Sequence, residues 1–549
     1  MRSLYIKGTL SDEILKTGKY MSQKKIKIHL LPYDRVIESG SKQSLMKILV
    51  ENNIFLRSDC GGNGICGKCK VNIYKNESQV ESLNACMFTP DYDITVEIPK
   101  FSISPVYGIR KPSIIFPNSF IKKDTTNKKS FGIAVDLGTT SIAVYLCDIT
   151  NQKVLATTSI NNPQTIYGDD VMSRIGEIYN NPKSMKSMQT LVVNAIEQCI
   201  RNNLSVCSLS QNDILQMVVV GNPTMIHILS GVNPGPIGKY PYQPVFYESR
   251  KTQSCALNFK IQNIQIYTLN QISGFIGGDI LAAAIAVDFD NQPIGTLLVD
   301  LGTNGELFLK STDNIIATSC ATGPAFEGAS LSCGMQAVPG AIDNVKIKSS
   351  DSSPQCSVIS KNDLEFEKAK GICASGVISA IAEFCRNGII EPGGHFNKTN
   401  HIKQLVQDKK GHFCYVLIDE KFSATGNKIK ISQKDIRAVQ LGKSALITGI
   451  EFLLKKANLK KPKKIIIAGG FGVNVNKNDM ITIGMLPLID QNLIEYAGNA
   501  AGAGAVMILC DSKYEKEAEK LSRKVVVVDQ ANNKDFQNTF VKNLKMEPD

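Results

Sequence analysis

The sequence predicts a multidomain chain of α+β and α/β build: a small strand-rich module, a linker, then two related α/β lobes. Three observations predict this. Four cysteines crowd into one glycine-rich stretch between residues 60 and 86. An apolar strand running into a polar D-L-G-T turn occurs twice, at 131–146 and at 295–310. Between the cysteines and the first copy, residues 101–130 carry several prolines, a KKDTTNKK stretch and no apolar period, as expected of a linker.

The front of the chain is expected as a tail over residues 1–23, with no apolar signal-peptide core. KIKIHLLPYDRVIES then reads as a strand hairpin and SLMKILVENNI as a helix with apolar positions at helical spacing. The cysteine loop follows, and after it the strands KVNIY and DITVEIP, so residues 24–100 form a β-grasp-like module. Cys60, Cys66 and Cys69 have C-x5-C-x2-C spacing, and Cys86 follows the third after sixteen intervening residues. Three thiolates on a short glycine-rich loop, closed by a distant fourth, is how a ferredoxin-like domain encloses a [2Fe–2S] cluster. Gly61, Gly62, Gly64 and Gly67 let that loop curl so that amide N–H groups face an anionic cluster. A zinc ribbon would pair two short C-x2-4-C knuckles, and only one C-x2-C exists. The module is therefore expected to carry single electrons.

At 549 residues the chain has room for roughly three to four domains. The other eleven of its fifteen cysteines are scattered singly, which suits free thiols in a reducing cytoplasm. No apolar run reaches the ~18 residues of a membrane span. The net charge of +12 comes without an aromatic-interleaved basic stripe, so neither membrane nor nucleic acid is expected as a partner.

Behind the linker the repeat has three parts in the same order. FGIAVDLGTTSIAVYL (131–146) is echoed by GTLLVDLGTNGELFLK (295–310), MVVVGNPT (217–224) by KIIIAGGFG (464–472), and GFIGGDILAAAIA (274–286) by GNAAGAGAVMIL (498–509). The first lobe is read as 131–290. The second is read as 291–549, with an insertion at about 325–455 and a C-terminal extension. In each first element the turn offers backbone N–H and hydroxyl donors to phosphates: Gly138, Thr139 and Thr140 from one side, Gly302, Thr303 and Asn304 from the other. Asp136 and Asp300 end apolar strands, where their carboxylates suit Mg2+ held through waters. Gly469, Gly470 and Gly472 would let backbone approach an adenine closely.

Two such hairpins with a late A-G-G-F-G turn resemble the superfamily of sugar kinases, actin and the seventy-kilodalton heat-shock chaperones. The resemblance implies duplicated RNase H-like (actin-like ATPase) lobes closing on ATP. AAAIA (282–286) is similar to the chaperones' connecting helix, where an acid three positions earlier places the attacking water; that position is Asp279 here. A helix N-terminal acid stabilised by the dipole is the competing reading of Asp279.

From about residue 24 the whole chain resembles the ATP-dependent reductive activators of corrinoid proteins. The C-x5-C-x2-C module, NPQTIYGDDVMSRI, GNPTMIHILSG, SGFIGGD, VDLGTNGE, CATGPAFEGA, GICASG, SQKDIRAVQLGKSA and AGGFG carry the likeness in order along the chain. It implies ATP-driven, one-electron reduction of an inactive Co(II) corrinoid to Co(I) on a separate carrier protein, fed by a low-potential electron donor, and a homodimer. The chain lacks a D-x-H-x-x-G corrinoid box and its five histidines are scattered, so the corrin belongs to the partner. The tail from 511 has no cysteine for a further cluster. An electron-injecting activator of a radical dehydratase, an ATP-switched redox sensor or chaperone-like protein, and a small-molecule kinase are the competing classes. For Tyr167, Asp169, Asp170 and Arg174, nucleotide or partner contacts stand beside a plain reading as caps and ion pairs. KKANLKKPKK is expected as a solvated lysine face.

Overall fold

The structure, a computed structural model, describes residues 25–547 apart from 32–33, 41–42, 53, 55, 57–63, 65–66, 68, 76–77, 100–101, 103–112, 118–119, 121–129, 262–263, 328–330, 351, 361–366, 399–401, 409–410, 470–474 and 529–533. The tail expected over residues 1–23 lies outside the described residues.

The N-terminal module is built from β1 (Ile26–Leu31), β2 (Arg35–Ser39), α1 (Leu45–Glu51), β3 (Lys70–Lys75), β4 (Ser78–Asn84) and β5 (Ile94–Glu97). The sheet order is β2-β1-β5-β3-β4, with β1 and β5 parallel and the other neighbours antiparallel. That is the β-grasp arrangement expected from the alternating IKIHLL and KVNIYK patterns. Ile28, Leu30, Val71, Ile73 and Val96 point inward onto Leu45, Ile48 and Leu49 of α1, whose start is capped by Ser44.

The first lobe contains β6 (Phe131–Leu137), β7 (Ser141–Asp148), β8 (Lys153–Asn161), α2 (Val171–Asn180), α3 (Lys183–Cys207), β9 (Ile214–Gly221), α4 (Pro223–Leu229), β10 (Arg250–Gln253), β11 (Gln265–Thr268) and α5 (Gly278–Ala286). The second opens with β12 (Thr296–Leu301), β13 (Gly305–Lys310) and β14 (Ile315–Cys320). It continues through β15 (Ala341–Lys346), β16 (Gln355–Val358), β17 (Gly371–Ile372), α6 (Ala374–Arg386), β18 (Leu405–Gln407), β19 (Phe413–Ile418), β20 (Ile429–Ser432) and α7 (Gln433–Lys456). It closes with β21 (Lys464–Ala468), α8 (Lys477–Thr482), β22 (Ile494–Gly498), α9 (Ala500–Cys510), α10 (Lys513–Lys524), β23 (Val525–Val527) and α11 (Lys534–Lys542).

The two large sheets run β10-β11-β9-β6-β7-β8 and β22-β21-β12-β13-β14-β23. Five strands of each match in order and direction: an antiparallel meander of three, with two parallel strands added beside its first. The repeat in the sequence is thus a repeat in the fold. Each central strand is buried along nearly its whole length, as VVVG and KIIIA predict for strands covered on both faces.

Between the sheets lie α5 and α9. One apolar core passes from Ala134 and Val218 through these helices to Leu298 and Ile466. Small residues allow the approach: a Cβ on Gly504 would stand 1.9 Å from the carbonyl oxygen of Ala282. The two helices therefore form the floor on which the lobes meet. The region expected as an insertion carries two three-stranded sheets, β16-β15-β17 and β18-β19-β20, with α6. In the C-terminal extension β23 joins the edge of the second sheet beside β14, and α11 packs on α7.

Part of the stretch expected as a linker is held. Ile114 bridges to Gly498 at the end of β22, and Phe120 is buried beside Phe116 and Tyr514, with ring centroids 4.8 and 6.2 Å away. Among the described residues no helix is long and apolar enough to cross a membrane.

Candidate active site

The β6–β7 and β12–β13 hairpins point their turns at each other across a cleft of about 210 Å3. In the first turn the Gly138 N–H donates to the Ser141 carbonyl at 3.0 Å, and in the second the Gly302 N–H donates to the Asn304 carbonyl at 3.0 Å. The turns touch: the hydroxyls of Thr140 and Thr303 are 3.1 Å apart. Asp136, Gly138, Thr139, Thr140, Asp279, Asp300, Gly302, Thr303, Asn304 and Gly469 all line this one cleft. Gly470 and Gly472 lie outside the described residues. Gly469 has φ 96°, and a Cβ there would fall 2.3 Å from the Leu301 carbonyl oxygen. Only glycine lets β21 end this close to β12.

Asp136 is 4 % exposed and its Oδ2 accepts from Asn499 Nδ2 at 2.9 Å. The same amide donates to the Tyr145 hydroxyl at 2.7 Å. Burial, then the charge of Asp136, push the Tyr145 phenol far above its ordinary value, so it stays protonated. Asp279 sits in the first turn of α5, where its Oδ1 accepts from the Ile280 N–H at 3.0 Å. Asp279 is thus a helix N-terminal acid, and it also lines the cleft.

Several lining residues escape sequence reasoning. Glu306 stands directly opposite Asp300 in the β12–β13 pairing and is 7 % exposed. Asn222 caps α4 through the Met225 N–H at 3.1 Å and donates to Thr139 Oγ1 at 2.9 Å. Cys373 and Ser375, at the start of α6, close one wall, with the sulfur 3.2 Å from the Ser375 hydroxyl. Burial pushes the Cys373 thiol up, which keeps it neutral. Thr322 Oγ1 donates to the carbonyls of Gly302 and Thr303, each at 3.0 Å, and fixes the second turn from below. The Asn-Pro step of GNPT is a readable helix start, whereas the places of Glu306, Thr322 and Cys373 depend on register and tertiary packing.

Of the four residues left open by the sequence, Asp170 is a cap: it accepts from the N–H and hydroxyl of Ser173 at 2.8 and 2.7 Å. Arg174 is fully buried behind the first turn, and its Nη2 donates to the Thr139 carbonyl at 2.6 Å. Burial raises the Asp169 carboxyl despite the nearby Arg174 charge.

In the module, Cys69 and Cys86 bring their sulfurs to 3.4 Å. Cys60 and Cys66 lie outside the described residues. Gly64 and Gly67 adopt φ of 75° and 62°, the curled backbone expected of this loop. The 3.4 Å spacing is far beyond the ~2.05 Å of a disulfide and somewhat short of the roughly 3.8 Å that two thiolates span on a tetrahedral metal with bonds of about 2.3 Å.

Two family profiles match the chain end to end behind the linker. Residues 131–292 match the RACo middle region, and residues 295–548 match the C-terminal domain of RACo, the ASKHA domain. The chain belongs to the RACo family. Its second lobe is therefore the ASKHA domain named in that second profile. The chain is 28% identical to the corrinoid activation enzyme RamQ of Eubacterium limosum, an alignment covering 88% of this chain and 93% of that one. It is 24% identical to the [Co(II) methylated amine-specific corrinoid protein] reductase of Methanosarcina barkeri, over 71% of this chain and 72% of that one. Among solved structures it superposes on a reductive activator for corrinoid, iron-sulfur protein with a TM-score of 0.71 at 25% identity, covering 95% of this chain and 98% of that one.

Proposed function

We propose that this member of the RACo family is an ATP-hydrolysing reductive activase. It restores a corrinoid-binding protein by passing one electron to its Co(II) corrinoid, giving Co(I). The observation that carries the reading is the union, in one chain of this family, of a cysteine-loop β-grasp module with a two-lobed cleft bearing two phosphate turns.

Cys60, Cys66, Cys69 and Cys86 would hold a [2Fe–2S] cluster, which supplies a one-electron carrier when bound. Such centres have potentials near roughly −400 mV. A Co(II)/Co(I) couple is expected to lie lower, and each shortfall of ~59 mV costs a factor of ten for one electron. ATP helps by favouring one conformation of the complex over another, through its differential affinity for the two.

In the cleft, the N–H groups and hydroxyls of Gly138, Thr139, Thr140, Gly302, Thr303 and Asn304 bind the phosphates. The lining residues among those described include four carboxylates, Asp136, Asp279, Asp300 and Glu306, and no Lys, Arg or His. An ATP polyanion facing carboxylates needs a cation between them, so the donor set fits Mg2+, with Asp136 and Asp300 as its holders. Asp279 orients the attacking water and takes its proton. Gly469, Gly470 and Gly472 would let backbone approach the adenine closely. Clamping the carrier and drawing a ligand off its cobalt would raise the cobalt potential, and lobe movement on hydrolysis would release the Co(I) product. A low-potential reductant refills the module, two chains pair through the lobes, and the scattered thiols suit work in a reducing cytoplasm.

The Asp279→Asn variant tests the coupling. It should bind ATP as the native chain does, lose hydrolysis by about a hundredfold or more, and make no Co(I), while its module still accepts an electron. Native turnover in this variant contradicts the assignment.

A further inference from the structure

The N-terminal module is seated on the first lobe, and the seat connects to the phosphate turn. Helix α1 lies against α3. From α1, Lys47 places its Nζ 5.5 Å from the centre of the Tyr167 ring, which ends the 3-10 turn Pro163–Tyr167 of the first lobe. Burial, followed by the Glu51 carboxylate at the end of the same helix α1, raises the Tyr167 phenol. The residue after Tyr167 offers its backbone to Arg174: the Gly168 carbonyl accepts from Nε at 3.0 Å. Arg174 Nη1 donates to Gln164 Oε1 at 3.1 Å within that same turn, and Gln164 in turn donates to the Met188 carbonyl of α3 at 3.0 Å. The remaining arm, Nη2, reaches the Thr139 carbonyl at 2.6 Å, and Thr139 lines the cleft.

One guanidinium thus grips both ends of a short path from the module to the phosphates. Its fork is planar and rigid, so its three arms cannot move independently. It is also 0 % exposed, and a buried cation that loses a hydrogen-bond acceptor is costly. A shift of the Tyr167–Gly168 turn must therefore be followed by the Thr139 carbonyl or leave a charged donor unmet.

We propose that Arg174 is a positioning residue for the phosphate turn at Thr139 and ties that turn to the seat of the N-terminal module at Tyr167. Seating of the module and binding of ATP then favour one another. This rests on the reading of the cleft as an ATP site. By linkage, whatever factor the seated module adds to ATP affinity, ATP adds to seating. The electron carrier and the nucleotide site are coupled inside one chain, independently of the corrinoid partner.

The test is calorimetric titration of Mg-ATP into the full chain and its variants, with ATP turnover measured alongside. Lys47 and Tyr167 do not line the cleft. Nevertheless Lys47→Ala and Tyr167→Ala should each weaken ATP binding about twofold to fivefold, the range of a half-exposed cation–π contact, with turnover at saturating ATP unchanged. Arg174→Lys should weaken binding by about tenfold or more. The Lys47→Ala/Arg174→Lys double variant should be no weaker than Arg174→Lys alone, because the tie is already cut. Native affinity in both Lys47→Ala and Tyr167→Ala overturns the proposal, as do effects that multiply in the double variant. Should Arg174→Lys not fold, the two single variants at the seat decide the matter. A native chain that binds no ATP would instead overturn the reading of the cleft, and the tie with it.

Discussion

Asp136 and Asp300 hold equivalent places in the repeat but meet different neighbours. Leu137 pairs with Ile142, whereas Leu301 pairs with Gly305, so the second hairpin turn is one residue shorter. The residue opposite Asp136 is then Ala143, and the residue opposite Asp300 is Glu306. Like charges directly opposite in a sheet repel, so on the proposed reading of the cleft a cation would be needed most at the second lobe. His227 shows the reverse case, a titratable group kept neutral for structure. Its Nδ1 donates to the Pro223 carbonyl at 2.7 Å, its Nε2 accepts from the Val245 N–H at 3.0 Å, and its ring stacks on Phe246 at 4.2 Å. Burial pushes its pKa down to about 4. In the unfolded chain the value returns to about 6.5, so the unfolded state takes the proton first. Stability is complete above that pH and falls as pH drops toward 4, by about 3 kcal/mol in all. Urea midpoints at pH 7 and pH 5 check this: the native chain should lose stability, and a His227→Gln variant should lose less over the same interval. Equal losses in the two proteins would contradict it. The sequence shows His227 only as one of five scattered histidines. The hydrogen bonds that fix its neutral form come from its own helix and from a loop eighteen residues on, which no local pattern reveals.

At the scale of elements, what the sequence made legible was whatever repeats or alternates. The two D-L-G-T hairpins, the buried strands MVVVG and KIIIA and the small-residue helices are each local patterns, and each became the element expected. Less legible were β10 and β23, the edge strands that differ between the lobes: VVV takes its place from β14 far back along the chain, and RKTQ, though its partner β11 follows after a loop, shows no apolar alternation. The small residues of α5 and α9 carry a prediction of opposite signs at two helical glycines. In α9 a Cβ on Gly504 would strike the Ala282 backbone at 1.9 Å, whereas in α2 a Cβ on Gly176 meets nothing within 4 Å. Gly504→Ala should destabilise by about 1–3 kcal/mol through overpacking. Gly176→Ala should stabilise by up to about 1 kcal/mol through helix propensity. Thermal melting of the two variants reads both signs. A neutral Gly504→Ala would mean that α5 and α9 part more easily than their packing indicates.

In the whole molecule, the bridges that cross between the lobes around the cleft include Thr140 to Thr303, Asn499 to Asp136, and Gln336 to Asn161 at 2.7 Å. All three join residues that line the cleft or stand next to one that does, so separation of the lobes and occupancy of the cleft act on the same contacts. The order module, linker, lobe, lobe is an expectation from the chain, where each boundary coincides with a change of pattern. The seat of the module on α3 and the anchoring of Ile114 and Phe120 on the second lobe were not legible there, since both arise from surfaces distant in sequence. That anchoring confines any travel of the module to the chain before residue 114. On the proposed function, electron delivery by this module depends on ATP in this cleft. The most direct measurement is anaerobic absorbance of a Co(II) corrinoid carrier from the same cell, mixed with this protein and a low-potential reductant, with and without ATP. A Co(I) band should appear only when ATP is present. A Co(I) band of equal size without ATP, or none with any of the cell's corrinoid carriers while the cluster is intact and reduced, would contradict it.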